Sequence, residues 1–379
     1  MTEEYIDLLL VGNYVPDRQY SMLQYQEMVK EGMEVAGKNV RSYDPVPYLG
    51  KYVSGNKWVG YIDKFVVFPV RLRALMRKCA SRTIVHVCDH SNGTYLKQVE
   101  KQRKVLSCHD LIAIRCARGE FSGHSTGFMG KQLQRFISSG FSFADSIICD
   151  SNSTKEDLER LFPSCLAEKK VIYLGFNKSL CRLSDERARN LLAENNIDTP
   201  EKFILHVGNN AWYKNRMGVL KIFCEFLKKG NNKALKLLLV GGSLDDSQVS
   251  YLQSEGVLDR VTVLEGLSNS VVEALYNSAK ALLFPSRYEG FGWPPLEAQL
   301  CHCPVVCSDS GSLAEIVLDS ALTAPWDDVQ AHARNLELVI EEGSVREQII
   351  RKGLENVARF SMDGMIGQMC DVYDRLLTN

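Results

Sequence analysis

Two glutamates in one glycine-containing loop have the chemistry and the spacing of a ligand-binding pair. Seven residues separate Glu289 from Glu297, and Gly290 and Gly292 lie between them. Carboxylate oxygens accept hydrogen bonds from hydroxyl groups, and glycine lets the backbone approach a ligand closely. The pair therefore predicts binding of a sugar or a ribose. The plainer alternative is a solvated loop glutamate followed by an ordinary glutamate at a helix start.

The surrounding sequence predicts the elements that position this pair. Residues 281–284 form a short apolar run typical of a buried strand, Pro294 and Pro295 suit the first turn of a helix, and residues 304–307 predict a second strand. In such a strand–loop–helix–strand unit, the free N–H groups at the helix start can bind an anion. The stretch therefore predicts a ligand that carries both phosphate and sugar hydroxyls.

A lysine follows another predicted strand in the second half of the chain. Residues 203–207 are apolar and lead into Gly208, and Lys214 lies in the turn before a predicted helix that ends at Lys229. An ammonium group in such a turn can contact a pyrophosphate as a point charge. The alternative is an exposed loop lysine, which is the usual position of this residue type.

The string from Glu289 to Ala298, EGFGWPPLEA, resembles the signature of the family four retaining glycosyltransferases. The resemblance implies an α/β protein of the GT-B fold, in which two Rossmann-like, doubly wound domains face a cleft. It implies an N-terminal acceptor domain over residues 1–177 and a nucleotide-sugar donor domain over residues 178–360. A final helix over residues 361–379 is expected to cross back to the first domain.

The resemblance also implies the residues of the site. It gives catalytic roles at the donor sugar to Glu289 and to His109, which lies in an H-D-x-I string. Many family members have arginine at the position of Asn209, so we consider Arg216, at an unusual spacing, as its replacement. The implied donor-binding residues are Gly12, Gly208, Asn209, Lys214, Asn215, Leu264, Gly290, Phe291, Gly292, Trp293 and Glu297.

The implied reaction is transfer of a sugar from a nucleoside diphosphate sugar to a hydroxyl acceptor with retained anomeric configuration. Frequency within the family favours UDP-glucose as donor and a glycan or lipid-linked glycan, in polysaccharide synthesis, as acceptor. The chain has no DxD string, so neither a metal nor another cofactor is expected. Two alternatives stay open: a nucleotide-sugar epimerase of the same fold, and a non-catalytic nucleotide-binding regulator.

Composition restricts the other classes of function. The chain has 379 residues, 24% of them charged, and a net charge of −1, which argues against a nucleic-acid partner. An uninterrupted apolar run of ~18 residues, the length that crosses a bilayer, does not occur. Twelve scattered cysteines without a CxxC pair and an acidic N-terminus predict reduced thiols in a cytoplasmic protein.

Residues 58–79 mix aromatic and aliphatic side chains with basic residues, namely Arg71, Arg73, Arg77 and Lys78. A basic amphipathic segment can lie on an anionic membrane surface. The alternative is a helix that faces the core and keeps its arginines in water. Peripheral membrane contact would suit a lipid-linked acceptor.

Overall fold

A computed structural model describes residues 6–50, 57–176, 180–229 and 234–378. Contacts between Cα atoms divide the chain into two compact units. Unit 1 comprises residues 1–175 and 361–379, and unit 2 comprises residues 176–360. The sequence indicated a first boundary after residue 177, and the contacts give it after residue 175.

Unit 1 contains a sheet of six parallel strands in the order β2-β1-β3-β4-β5-β6. The strands are β1 Leu8–Val11, β2 Val40–Ser42, β3 Ile84–Val87, β4 Arg103–Cys108, β5 Ser146–Cys149 and β6 Glu168–Val171. Parallel neighbours need crossover connections, which helices usually supply. The helices of this unit are α1 Tyr20–Val35, α2 Lys57–Ile62, α3 Phe68–Met76, α4 Ile112–Arg118, α5 Phe128–Ser138, α6 Asn152–Leu161 and, at the end of the chain, α15 Met362–Thr378.

Unit 2 repeats this architecture with a second parallel sheet, in the order β12-β11-β10-β7-β8-β9. Its strands are β7 Phe203–Val207, β8 Lys236–Val240, β9 Val261–Leu264, β10 Ala281–Phe284, β11 Val305–Ser308 and β12 Leu322–Ala324. Its helices are α7 Asp185–Glu194, α8 Arg216–Lys229, α9 Asp246–Ser254, α10 Asn269–Ser278, α11 Trp293–Leu300, α12 Leu313–Val317, α13 Val329–Ile340 and α14 Ser344–Val357.

The central strands are apolar because both faces of each sheet are covered. All four residues of β1 and all four of β10 are buried. Continuous apolar runs of this kind are typical of parallel strands with helices on both faces. The two Rossmann-like units predicted from the sequence are therefore confirmed.

The apolar residues among positions 105–114 predict one long strand, and this prediction is wrong. β4 ends at Cys108, and α4 begins at Ile112, so His109 lies directly after a strand and not in its middle. The carboxylate of Asp110 accepts a hydrogen bond from the Ile112 amide at 2.9 Å, which stabilises the turn between the two elements. An apolar run does not by itself distinguish a strand from the helix that follows it.

Three smaller differences concern element boundaries. The spacing of Ser153 and Glu156 predicts a capping box, but the cap of α6 is Ser151, whose hydroxyl accepts from the Thr154 amide at 3.1 Å. The apolar residues from position 171 onward predict a strand and turn, but the strand β6 covers Glu168–Val171 and ends where that prediction begins. The short strand β12 was not predicted; its three residues are too few to show a pattern.

The last helix belongs to unit 1. The apolar side of α15 buries Met365, Met369 and Val372. The hydroxyl of Tyr373, also on this helix, is 2.7 Å from Nδ1 of His86 on β3, and Nε2 of His86 is 2.8 Å from the hydroxyl of Ser107. Burial lowers the pKa of His86 to about 3, so this histidine is a neutral hydrogen-bonding link within the unit.

Candidate active site

The candidate site of unit 2 lies at the point where the strand order reverses. β7 and β10 are neighbours in the sheet, but the chain leaves β7 toward β8 on one side and leaves β10 toward β11 on the other. In open α/β sheets, ligands bind beyond the carboxyl ends of the strands at such a switch point. The segments that follow β7 and β10 contain Lys214 and Glu289, respectively.

Lys214 and Glu289 contact each other directly. Nζ of Lys214 is 2.9 Å from each carboxylate oxygen of Glu289. The lysine ends a short 3-10 turn, and the Asn215 that follows has a left-handed backbone (φ 56°). The amide of Arg287 donates to the carbonyl of Tyr213 at 2.7 Å, which links the two segments near the ion pair. The fold therefore brings together two residues that are 75 positions apart in the sequence.

The loop of Glu289 is braced from α12. The Ser312 hydroxyl donates to the carbonyls of Glu289 and Phe291, at 3.1 Å and 2.6 Å. Gly311 lies so close that a Cβ atom there would be 2.9 Å from the carbonyl oxygen of Glu289. Ser312 thus fixes the backbone of Glu289, and Lys214 fixes its carboxylate.

The start of α11 offers amide groups beside this carboxylate. Gly292 has φ 115°, and a Cβ atom there would lie 2.7 Å from Cδ2 of Leu313. The amides of Phe291, Gly292 and Trp293 donate to no acceptor within the described ranges. Pro294 and Pro295 follow and have no N–H group. Anion binding here would therefore depend on the loop amides and not on the whole first turn of the helix.

Glu297 lies on α11, after the loop of Glu289, and has a different hydrogen-bond partner. The hydroxyl of Tyr276, on α10, donates to Oε2 of Glu297 at 2.8 Å. Burial raises the pKa of Glu297, while the Tyr276 hydrogen bond and the charge of Lys214 act in the opposite direction. Oε1 of Glu297 takes no part in the Tyr276 hydrogen bond, so a carboxylate oxygen is placed to accept from a hydroxyl group.

The sequence did not reveal Tyr276 as part of this site. It is fully buried, and both burial and the charge of Glu297 raise the pKa of its hydroxyl, which therefore stays protonated and can donate. A tyrosine among the apolar residues of a helix usually indicates only packing. Its contact with Glu297, 21 positions away, appears only when α10 and α11 are folded.

Asn215 and Arg216 act as supports around the turn that contains Lys214. The side-chain amide of Asn215 donates to the carbonyls of Pro285 and Trp326 at 2.9 Å and 3.0 Å. The guanidinium of Arg216 is buried and donates to the carbonyls of Gly208 and Gly242. These two carbonyls engage both terminal nitrogens of Arg216, and the suggestion that it replaces a phosphate-binding arginine stays a prediction.

At three other predicted donor-binding positions, a polar group is already hydrogen-bonded within the protein. The side-chain oxygen of Asn209 accepts from the Ala211 amide at 3.1 Å. The Gly208 amide donates to the Val240 carbonyl at 2.9 Å, and the Leu264 carbonyl accepts from the Gly241 amide at 3.0 Å. These residues shape the edge of the sheet, and we do not assign donor contacts to the groups that are already bonded.

In unit 1, His109 makes two hydrogen bonds inside the unit. Its Nδ1 is 2.7 Å from Oδ2 of Asp150, and its Nε2 donates to the Cys88 carbonyl at 2.7 Å. Burial alone would lower the pKa of this imidazole, but the charge and hydrogen bond of Asp150 outweigh burial and raise the pKa to about 9. Both ring nitrogens of His109 thus have partners within unit 1, and its role at the donor sugar stays a prediction.

Gly12 follows β1 and is tightly surrounded. Its amide donates to Oδ1 of Asp44 at 2.7 Å, and the same carboxylate oxygen accepts from the Gln26 side chain. A Cβ atom at position 12 would overlap the Gln26 side chain. The glycine is needed for this close packing, and its N–H is not available to a phosphate.

Residues 188–356 match the profile of the family described as Glycosyl transferases group 1. Over 289 residues, the chain is 26% identical to O-antigen chain mannosyltransferase B of Escherichia coli, an alignment covering 76% of this chain and 74% of the relative. The glutamate pair, Lys214 and Tyr276 all lie within the matched residues. Residues 188–356 therefore have the sequence of a group 1 glycosyltransferase domain, and the chain as a whole is similar to such enzymes.

Two solved structures show the same fold over almost the whole chain. Sucrose-phosphate synthase from Thermosynechococcus elongatus superposes with a TM-score of 0.77 at 19% identity and covers 98% of this chain and 99% of its own. Anabaena HepE in complex with UDP and glucose gives a TM-score of 0.72 at 14% identity and covers 98% and 100%. The two Rossmann-like units thus form a GT-B protein.

Two kinds of feature are absent from the described ranges. No group of three or more His, Cys, Asp or Glu side chains there is arranged to hold a metal ion. None of the helices in the same ranges is both long and apolar enough to cross a bilayer.

Proposed function

We propose that the protein transfers a sugar from a nucleoside diphosphate sugar to a hydroxyl of a glycan or lipid-linked glycan, with retention of anomeric configuration and without a metal ion. The observation that carries this proposal is the grouping of Lys214, Glu289 and Glu297 at the switch point of unit 2. A diphosphate, a sugar and a ribose require a cation and two hydroxyl acceptors, and this grouping supplies all three.

Charge develops in two places during such a transfer. The sugar ring becomes cationic while the leaving diphosphate gains negative charge, so stabilisation needs an anion and a cation placed close together. Glu289 and Lys214 are that pair, at 2.9 Å. When a diphosphate binds Lys214, the carboxylate of Glu289 becomes available to the sugar. The loop amides of Phe291, Gly292 and Trp293 add donors for the phosphate oxygens.

Glu297 is assigned to the ribose. Its carboxylate is positioned by Tyr276 and lies on the first turns of α11, eight residues from Glu289 along the chain. A ribose offers two neighbouring hydroxyls, and a fixed carboxylate can accept from both. Ribose is common to all nucleotides, so this contact supports a nucleotide donor without selecting its base.

We propose UDP-glucose as the donor and polysaccharide synthesis as the process. The GT-B neighbour HepE is bound to UDP and glucose, which supports this base and sugar. The bacterial relative is an O-antigen chain mannosyltransferase, which supports a glycan acceptor and makes a mannose donor the first to compare. Free thiols at all twelve cysteines support a cytoplasmic location.

The test is to incubate the full chain with UDP-glucose labelled at C1 and with glycan and lipid-linked glycan acceptors, and to follow the anomeric carbon by NMR. We expect an α-linked product and released UDP. Glu289→Gln should lower kcat by on the order of 10²–10³ with little change in donor affinity, since the group acts on charge that develops in the transition state.

The matched control is Glu337→Gln, which changes an exposed glutamate of the same unit. It should leave turnover unchanged. A β-linked product would contradict retention, and unchanged turnover in Glu289→Gln would remove the proposed role of that residue. Conversion of UDP-glucose to another nucleotide sugar without any acceptor would favour an epimerase instead.

A further inference from the structure

A continuous helical segment of unit 1 exposes a row of apolar side chains. α2 and α3 are joined by a π-helical turn over residues 63–67, and the backbone stays helical at both junctions. Trp58, Ile62, Val66 and Val70 follow at four-residue intervals, which places them along one side of the helix. Trp58 and Val70 are each 69% exposed, so this side faces away from the core.

The neighbouring helix α5 extends this row. The rings of Phe65 and Phe136 meet edge to face with 5.4 Å between their centroids, which joins α5 to the helical segment. Near the start of α5, Phe128 is 73% exposed and Met129 is 68% exposed. We call the following exposed side chains the apolar face: Trp58, Ile62, Val66, Val70, Phe128, Met129 and Phe136.

Exposed apolar residues are concentrated on this face. Nineteen large apolar side chains are exposed within the described ranges, and seven of them belong to the apolar face, whereas unit 2 contributes three. Single exposed apolar side chains are normal, but a contiguous group marks an interaction surface.

Positive charge is concentrated in the same two segments. Residues 57–78 contain six Lys or Arg and one acid, and residues 128–138 contain two and none, although the whole chain has a net charge of −1. The one acid, Asp63, is buried and accepts hydrogen bonds from the amides of Tyr48, Leu49 and Gly50. Asp63 therefore does not offset the surface charge.

Part of this charge has no acidic partner. Lys64 pairs with Asp17 and Arg73 with Glu100, both at 2.7 Å. In the described ranges, Lys78, Lys131 and Arg135 form no ion pair, and Arg77 lies near Glu100 without a salt bridge to it. An apolar row with an excess of basic side chains in the same segments fits a partner that is both apolar and anionic.

We propose that the apolar face and the basic side chains beside it dock unit 1 on the surface of an anionic lipid bilayer. Amphipathic helices of this composition lie in the headgroup region, with apolar side chains inserted and cations at the lipid phosphates. A second copy of the chain fits less well, because two such faces would bring like charges together. The proposal goes beyond sugar transfer and does not depend on it.

The experiment is co-sedimentation of the full chain with vesicles of phosphatidylcholine alone or mixed in equal parts with phosphatidylglycerol. Binding is expected only to the mixed vesicles and should weaken as salt is added. The double variant Val66→Ser, Val70→Ser should weaken binding roughly tenfold through loss of inserted apolar area. Neutralising Arg77 and Lys78 to glutamine should weaken it by about fivefold for each charge.

The matched apolar control is the double variant Val35→Ser, Leu166→Ser, which changes two exposed residues of the same unit outside the face. It should bind as the unaltered chain does. All variants change exposed side chains, and an unchanged thermal midpoint checks that each is folded. No binding to the mixed vesicles, or equal loss in the control and the face variants, would overturn the proposal.

A second copy of the chain is the competing occupant of the face. Analytical ultracentrifugation without lipid distinguishes it, because the bilayer proposal predicts no self-association that depends on the face. A dimer that is lost in Val66→Ser, Val70→Ser would overturn the proposal and assign the surface to a protein contact. Titration of the same variants with UDP measures nucleotide binding by unit 2 separately. If the lipid proposal fails, the proposal of sugar transfer therefore still stands.

Discussion

The contact between Lys214 and Glu289 places a cation and an anion side by side, as the proposed reaction needs at the diphosphate and at the sugar. The diphosphate needs a cation and the sugar needs an anion, and the fold keeps these opposite charges 2.9 Å apart and nearly buried. Neither charge is left unpaired in the interior, which would be costly. The pair therefore has a structural role as well as a chemical one, and the two roles can be separated by experiment.

Lys214→Met should lower the unfolding free energy of unit 2 by about 3 kcal/mol, because it leaves the carboxylate of Glu289 buried without a partner. Adding Glu289→Gln should restore most of that loss, while sugar transfer stays absent in the double variant. Hydrogen exchange of β7 and β10 in the full chain measures the stability of the unit. A double variant that is no more stable than Lys214→Met would contradict this account of the pair.

Tyr276 is expected to act through Glu297. Because its hydrogen bond lowers the pKa of Glu297, Tyr276→Phe should raise that pKa further above its ordinary value. A protonated carboxyl group accepts less well from a ribose, so nucleotide binding should be lost at a higher pH on acidification than in the unaltered chain. At neutral pH the loss in affinity should be roughly fivefold, the equivalent of one hydrogen bond.

Calorimetric titration with UDP across the acid range measures both effects. The control is Tyr251→Phe, which removes a hydroxyl from α9 in the same unit. It should leave the pH profile of binding unchanged. A Tyr276→Phe variant that binds more weakly at all pH values, with no shift of the profile, would indicate a packing role only.

At the scale of elements, the loop between β10 and α11 depends on glycines at which a side chain would collide. Gly311 has φ 61°, and a Cβ atom there would approach both the carbonyl oxygen and the amide nitrogen of Glu289, at 2.9 Å and 3.1 Å. Backbone atoms cannot rotate away as a flexible side chain can. Substitution at Gly311 should therefore displace Glu289 itself.

Gly311→Ala should reduce kcat by at least tenfold, since small misplacements of a catalytic group are costly. Gly256→Ala is the matched control, because Gly256 has a similar φ of 68° but no atom within 4 Å of the added Cβ. Both variants bear the same backbone strain, and only Gly311→Ala moves the loop. Equal turnover of the two in a transfer assay would show that displacement of Glu289 is unimportant.

The elements around the glutamate pair could be predicted from the sequence because local signals coincide there. An apolar run of four residues, a loop with two glycines and a pair of prolines leave few alternatives for residues 281–300. The partners of the side chains could not be predicted in the same way. Lys214 to Glu289 and Tyr276 to Glu297 are contacts between separate elements, and they depend on the sheet order and helix packing.

His109, directly after β4, is a residue whose partners the local sequence did not reveal. The family resemblance implied a role at the donor, and in the structure Nδ1 contacts Asp150 while Nε2 contacts the Cys88 carbonyl. Local sequence does not show Asp150, which lies 41 residues further along the chain. The hydrogen bond between His109 and Asp150 therefore depends on how the strands pair, which the local sequence does not show.

At the scale of the whole molecule, the chain runs through unit 1, then unit 2, and returns to unit 1 in α15. The proposed donor residues other than His109 and Gly12 all lie in unit 2, while the apolar face lies entirely in unit 1. Nucleotide binding and lipid binding can therefore be altered independently by substitution in one full-length protein. The last helix contributes buried apolar residues to unit 1, so the full chain is the appropriate material for every test.

The central claim is that unit 2 holds a nucleotide through Glu297, and calorimetric titration of the full chain with UDP, GDP and ADP tests it most directly. We predict that UDP binds and that the other two bind more weakly. Glu297→Ala should weaken UDP binding by roughly tenfold, the equivalent of a charge-assisted hydrogen bond, while Glu337→Ala leaves it unchanged. If none of the three nucleotides binds, or if Glu297→Ala binds UDP as tightly as the unaltered chain, the account of this site is wrong.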